Sequence, residues 1–165
     1  ARAEGAQLIT ATPHDLRLVL QLVAEDFARG ADRGRTNLHL ASTPVLSVID
    51  PDAVAIVARN LIENALRHGD GGPIRVTLAT DGWLHVENDG AAVPAAALAD
   101  LSGRFMRAQG AGSGSGLGLA IVRTIAERTA TALILTSPLS GQTGGFRASI
   151  QLGSRKAPLA ASTPL

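Results

Sequence analysis

Two stretches carry residues whose type and spacing suit chemistry. The first is Arg59-Asn60-Leu61-Ile62-Glu63-Asn64-Ala65-Leu66-Arg67-His68. Asn60, Glu63, Asn64 and Arg67 fall at i, i+3, i+4 and i+7, which is one face of a helix. Val54, Val57, Ala58, Leu61 and Ala65 supply an apolar face beside it. Asparagine is a poor helix former, so two of them one turn apart are an odd choice for plain surface. A solvated polar face is the competing reading of such a stripe. The amide oxygens are neutral, hard ligands that suit Mg²⁺ already paired with a charged phosphate. Glu63 can serve beside them as a base or orienting group.

The second stretch, Gly110-Ala111-Gly112-Ser113-Gly114-Ser115-Gly116-Leu117-Gly118-Leu119-Ala120-Ile121, runs from glycine and serine into an apolar series that continues through Val122 and Ile125. That series predicts a helix. Glycines feeding a helix N-terminus bring backbone N–H groups and the helix dipole onto an anion, so phosphate is the expected ligand. Turn geometry alone produces the same glycines. The stretch lacks the Gly-Lys-Ser/Thr ending of a P-loop and the directly preceding strand of a dinucleotide fingerprint. What remains is a hinge with a phosphate contact, Gly110 to Ser113 being slack and Gly114 to Gly118 the working part.

The elements that must position these residues follow from periodicity. Leu16, Leu18, Val19, Leu22, Val23 and Phe27 predict a helix between Asp15 and Ala31. Short strands are expected at Asn37 to Ala41 and Val45 to Ile49. Asp50-Pro51-Asp52 opens the helix that bears the asparagines, with an N-cap acid and proline at the first helical position. That helix stops at Gly69-Asp70-Gly71-Gly72-Pro73. A hairpin around Asp81-Gly82 joins Ile74 to Thr80 with Trp83 to Glu87. A short helix is expected at Ala95 to Leu101, another from Ser115 to Arg128, and strands at Ala132 to Thr136 and Phe146 to Leu152. Helices and hairpin strands without regular βαβ alternation imply an α+β two-layer sandwich.

Composition narrows the class. The 165 residues are 45% hydrophobic and suffice for one domain with a real core. Three phenylalanines and one tryptophan leave that core to aliphatic side chains and argue against a stacking platform for single-stranded nucleic acid. The net charge of +1, with no polybasic run, gives no sign of a nucleic-acid or membrane-surface partner. The absence of cysteine excludes disulfides and thiolate metal sites and fits a reducing compartment. No apolar run approaches the roughly 20 residues of a membrane span. Residues 1–12 are expected to be a frayed lead-in, 13–153 the domain and 154–165 a disordered tail.

Taken in order, four segments resemble the boxes of one family. Residues 59–69, "RNLIENALRHG", resemble the N box of the ATP-binding domain of bacterial sensor histidine kinases, within the ATPase superfamily of gyrase, the Hsp90 chaperones and MutL. "ENDGAAVP" resembles the first glycine box, "GRFMRA" the Phe box and "GSGLGLAIV" the second glycine box. Four boxes in sequence are far more specific than any one of them. The resemblance implies a Bergerat-type fold, a mixed sheet with helices on one face, with ATP and Mg²⁺ as its ligands. By it, Asn64 holds the metal with help from Asn60, and Glu63 is the base or orients the accepting group. Arg67 and His68 reach the phosphates and the nucleotide face. Arg104 and Arg107 flank Phe105 on a lid, one or both meeting the γ-phosphate while Phe105 packs. Gly114, Gly116 and Gly118 close on the phosphates, and Leu117 and Leu119 flank the nucleotide or seal the core.

The chain departs from that pattern in two places. The family's Asp-x-Gly-x-Gly reads Asn88-Asp89-Gly90-Ala91-Ala92 here. Asn88 therefore takes the adenine position and Ala92 that of the second glycine; Asp89 is the rival if the register slips by one. A neutral carbonyl still accepts from the adenine amino group, without charge assistance. Phe146 stands where the family has a threonine near the adenine. His14, in Pro13-His14-Asp15-Leu16-Arg17, is read as an ordinary residue at the first helix's start rather than a phosphoacceptor.

The resemblance implies an ATP-dependent protein-histidine kinase catalytic domain. Such a domain is expected to transfer the γ-phosphoryl group of ATP to a histidine on a separate dimerisation domain, from which a response regulator collects it. The expected location is cytoplasmic, as part of an inner-membrane receptor, with no direct membrane contact. Three alternatives stay open: a non-kinase ATPase or an anti-sigma-type serine kinase of the same superfamily, or a degenerate scaffold.

Overall fold

The structure, a computed structural model, describes residues 7–102 and 116–154. The expected disordered tail falls almost wholly outside those residues. The elements in chain order are β1 (Ile9–Asp15), α1 (Leu16–Arg29), β2 (Thr36–Leu40), β3 (Leu46–Ile49), α2 (Pro51–His68), β4 (Ile74–Leu78), β5 (Trp83–Asn88), α3 (Ala95–Ser102), α4 (Leu117–Arg128), β6 (Leu133–Thr136) and β7 (Phe146–Gln151). A five-stranded sheet has the order β2-β4-β5-β7-β6, and β1 pairs with β3 in a small sheet of two. Only β2 and β4 run parallel; β4-β5, β5-β7 and β7-β6 are antiparallel. The α+β mixed-sheet sandwich expected from the sequence is therefore what the chain forms.

The parallel pair decides where α2 goes. Parallel neighbours need a crossover, and α2 lies within the connection from β2 to β4. Its core face packs on β4 and β5, with α1 on one side and α4 on the other. Asp50 caps the helix, its carboxylate accepting from the N–H groups of Asp52 and Ala53, and Pro51 opens it. Ala53, Val54, Val57, Ala58, Leu61, Ile62 and Ala65 are all buried. The core they share with Leu16, Leu20, Ile74, Val76, Leu78, Leu84, Val86, Val122 and Ile150 is aliphatic apart from Phe146.

The lead-in behaves differently from the expectation. Residues 9–12 belong to β1, which pairs antiparallel with β3. The alternation that marks a strand is missing because β1 covers a sheet of only two and is exposed along most of its length. Pro13, which has no N–H to give, lies within the register irregularity between the Ile9–Ile49 and His14–Ser47 pairs. Buried Ser47 ties this small sheet to the end of β7, donating to the Leu152 carbonyl at 2.6 Å.

The face of the large sheet away from the helices carries an ionic ladder. Arg75 Nε donates to Glu87 at 3.0 Å, Arg75 Nη2 to Asp89 at 3.0 Å, and Arg147 pairs with the other oxygen of Glu87. His85 lies in the next row, against Ser149 Oγ at 2.7 Å and stacked on Trp83. Burial, then the Arg147 charge, holds His85 below its ordinary value of 6.5, against weaker upward pulls from Glu87 and Asp81. Burial pushes Glu87 up, but the hydrogen bonds from Arg75 and Arg147 outweigh it and leave the carboxyl below 4.5.

Both shifts mean that the unfolded chain takes up the proton more readily, so stability rises with pH across each window. Destabilisation sets in as pH falls below 6.5 through His85, and again below 4.5 through Glu87. Urea unfolding followed by circular dichroism should show both declines. His85→Gln should flatten the upper one, and Glu87→Gln should shrink the lower one. The Glu87 variant should also lose about 1 kcal/mol at pH 7.

Candidate functional site

Strand register brings the end of α2, the end of β5 and the start of β7 together. Ile74 at the start of β4 lies opposite Asn88 at the end of β5, and Asn88 lies opposite Phe146 at the start of β7. The chain enters β4 directly from α2, so the C-terminal turns of α2 and the end of β5 share one end of the sheet. Asp70 N–H donates to the Asp89 carbonyl at 3.2 Å and locks that junction.

A cleft of about 310 Å³ opens there, lined by Asn64, His68, Asn88, Leu119, Phe146 and the 91–94 turn, with Leu101 at its edge. Its size, and its apolar walls broken by a few polar side chains, are those of a small-molecule pocket. Asn64 also lines a second, polar depression of about 170 Å³, shared with Asn60, Glu63, Arg67, Leu117 and Gly118. The two depressions meet at Asn64. One has the character of a pocket for a flat apolar group, and the other that of a seat for something polar.

Asn88 is the most telling residue. It is 3% exposed, its Nδ2 donates to the Asp89 carbonyl at 3.0 Å, and its Oδ1 is buried with no partner. Buried polar atoms are rarely left unmet, and here the atom belongs to a residue lining the cleft. The Asp89 carboxylate turns elsewhere, to Arg75, and Asp89 does not line the cleft. Phe146 closes the wall beside Asn88 with an apolar ring and offers no hydrogen bond.

The polar depression is built by close helix packing. Asn60 Nδ2 donates to the Ile56 carbonyl at 2.8 Å, which leaves its Oδ1 facing the first turn of α4. A Cβ at Gly118 would stand 3.1 Å from that oxygen, so glycine lets the two helices approach. Among the described residues no side chain caps the α4 N-terminus at Gly116. Orphan N–H groups and the positive end of the helix dipole therefore lie beside Asn60, Asn64 and Arg67. Leu119 is buried in the core while Leu117 is 72% exposed, which separates the two leucines the sequence left together. Glu63, Arg67 and His68 are exposed, and Asn64 is half-buried.

Gly90 and Ala92 form the turn after β5. The Gly90 carbonyl accepts from Gly145 N–H at 2.7 Å, and Ser137 Oγ accepts from Val93 N–H at 2.9 Å while donating to the Gly145 carbonyl at 2.6 Å. Ser137 and the apolar lining by Val93, Pro94 and Leu101 were not legible in the sequence, because only folding brings the 91–101 segment against the start of β7. Arg104, Phe105, Arg107 and Gly114 lie outside the described residues. His14 Nε2 sits 2.6 Å from the Ile49 carbonyl and its Nδ1 is buried, so neither ring nitrogen is open to an incoming group. Among the described residues no group of three or more His, Asp or Glu side chains could hold a metal ion.

Residues 49–155 match the family described as histidine kinase-, DNA gyrase B-, and HSP90-like ATPase. No curated protein sequence gives a significant match. Among solved structures, the chain is similar to the mycobacterial sensor histidine kinase MprB, at 26% identity and a TM-score of 0.69, over 87% of this chain and 99% of that one. It is similar to the histidine kinase domain of the E. coli osmosensor EnvZ at 26% identity and 0.67, over 97% and 99%. The nucleotide-free catalytic domain of histidine kinase ThkA shares the fold at 18% identity and a TM-score of 0.71, over 87% and 97%.

The loops around the cleft leave almost no room at Gly144, where a Cβ would meet the Gly90 carbonyl at 2.2 Å. Gly144→Ala should force the turn after β5 away from the start of β7. The expected loss is about 1–3 kcal/mol in chemical denaturation, with Gly141→Ala as a control in open space, where only its positive φ of 73° is strained.

Proposed function

Since the chain belongs to the histidine kinase-, DNA gyrase B- and HSP90-like ATPases, we propose that it is the ATP·Mg²⁺-binding catalytic domain of a sensor histidine kinase. It transfers the γ-phosphoryl group to a histidine on a separate dimerisation domain, for relay to a response regulator. The observation that carries the reading is the unpartnered, buried Oδ1 of Asn88 in the larger cleft. That atom can only accept, and the 6-amino group of adenine is a donor of matching kind. Phe146 and Leu119 supply apolar walls for the ring. The likeness to MprB and EnvZ, named as a sensor histidine kinase and a histidine kinase domain, supports the kinase over other ATPases of the family.

The triphosphate would extend from that cleft past Asn64 into the polar depression, toward the N-terminus of α4. Neutral amide oxygens from Asn64 and Asn60, without a cluster of carboxylates, fit an Mg²⁺ ion that arrives with the phosphates rather than one the protein holds alone. When bound, that ion would neutralise charge on the phosphate oxygens. Arg67 and His68 would meet phosphate and nucleotide from the end of α2, and Gly116 and Gly118 would let the backbone approach. In the transfer, the bond from the γ-phosphorus to the ADP oxygen breaks and one to an imidazole nitrogen forms. Glu63, exposed at the rim, would orient that imidazole or take its proton. Arg104 and Arg107 are assigned to the γ-phosphate, and Phe105 and Gly114 to the lid, by family resemblance. No helix among the described residues is long and apolar enough to cross a membrane. We place the domain in the cytoplasm, as part of a membrane receptor.

Titration with a non-hydrolysable ATP analogue and Mg²⁺ should show saturable binding, and absence of binding at millimolar nucleotide would favour a scaffold. With a purified helical-hairpin dimerisation domain and γ-labelled ATP, the product should be acid-labile and base-stable phosphohistidine. Phosphoserine would point to the anti-sigma class. Asn64→Ala should lower Mg²⁺-dependent transfer by about 100-fold or more, a loss comparable to removing one electrostatic contact to the transferring group. Asn88→Ala should weaken ATP binding by about tenfold, since one buried hydrogen bond is lost.

A further inference from the structure

The Asn88 amide has two nearly equivalent ends, and which one faces the cleft decides what the cleft recognises. With Oδ1 inward it accepts from a 6-amino purine; rotated by half a turn it would donate, and would prefer a 6-oxo purine. The choice is made behind the cleft, where the Asp89 carbonyl accepts from Asn88 Nδ2 at 3.0 Å and from Asp70 N–H at 3.2 Å. Turning Oδ1 toward that carbonyl would set two acceptors against each other.

The Asp89 residue is held in turn from the opposite side of the sheet. Its carboxylate takes two hydrogen bonds from Arg75, from Nη2 at 3.0 Å and from Nη1 at 3.3 Å. Arg75 Nε donates to Glu87 Oε2 at 3.0 Å, and Arg147 holds the other Glu87 oxygen. This fixes the planar guanidinium at two edges, which a lysine ammonium could not reproduce. Arg75 does not line the cleft.

We propose that Arg75 is a positioning residue for base selection. Through Asp89 it holds the Asn88 amide with its acceptor inward, so an ion pair on the outer sheet face sets the preference for a 6-amino purine. This inference rests on the nucleotide reading above, and goes beyond it in naming a residue that acts from across the sheet.

The test compares ATP, purine riboside triphosphate, which lacks the 6-amino group, and ITP, which carries a 6-oxo group. Affinities for the intact chain and Arg75→Met are measured with Mg²⁺ by calorimetry. The intact chain should prefer ATP over purine riboside triphosphate by about tenfold, the worth of one hydrogen bond to a buried acceptor. In Arg75→Met that preference should fall to about two- or threefold, with binding of purine riboside triphosphate unchanged and ITP no weaker than before. Arg75→Lys should restore part of the preference, and Asp89→Asn should reproduce the loss from the other side of the ion pair. In an Asn88→Ala background, Arg75→Met should have no further effect on the ratio. Equal weakening of all three nucleotides would make Arg75 merely structural and overturn the inference, as would an unchanged ATP preference in both Arg75→Met and Asp89→Asn. If the intact chain binds none of the three, the nucleotide reading itself falls and takes this inference with it.

Discussion

The Asp89 carbonyl oxygen is the joint on which the site depends. It accepts from the backbone of Asp70, just past α2, and from the side chain of Asn88, the last residue of β5. One bond closes the sandwich at its open end, and the other aims a side chain into the cleft. Because a carbonyl has two lone pairs, it can do both without leaving either donor short. Loosening this joint would disturb helix placement and side-chain aim together.

The rest of the architecture keeps that joint dry on one side and wet on the other. Alternation along β4, β5 and β7 sends Ile74, Val76, Leu84, Val86, Ala148 and Ile150 into the helical layer and Arg75, Glu87 and Arg147 outward. The two faces differ in chemistry but are connected through the same peptide units. An ion pair on a half-exposed surface contributes little stability by itself. Its geometry still matters when it fixes a residue whose backbone serves the other face.

Much of this was legible from residue types. The spacing of Asn60, Glu63, Asn64 and Arg67 put them on one face of a capped helix, and the helix is there because Asp50 and Pro51 start it and Gly69 follows it. The hairpin at Asp81-Gly82 and the aliphatic core follow equally from local rules. Strand β1 was not legible, since a strand in an exposed two-stranded sheet needs no alternation. Nor were the roles of Ser137, Val93 and Leu101, which acquire meaning only from neighbours far away in the chain. The choice between Asn88, which ends β5, and Asp89, just past it, stood open because neighbours at a strand end are equally plausible until their side chains are placed. Pairing of Asn88 with Phe146 and of Asp89 with Arg75 assigns them.

By itself, the sequence determined the family, the α+β class, the asparagine-bearing helix and the helix that follows the glycines. The family rests on four boxes in the right order, and the rest on periodicity, capping and turn chemistry, which are properties of neighbours in the chain. Tertiary structure alone decided which depression each residue lines, that Asn64 belongs to both, and that Leu119 is buried while Leu117 is exposed. It also decided that the Asn88 Nδ2 is committed to the Asp89 carbonyl while its Oδ1 is left buried without a partner. The physical reason is that an amide's direction is set by the partner it cannot avoid, and that partner is placed by strand register and by the exit of α2 rather than by local sequence.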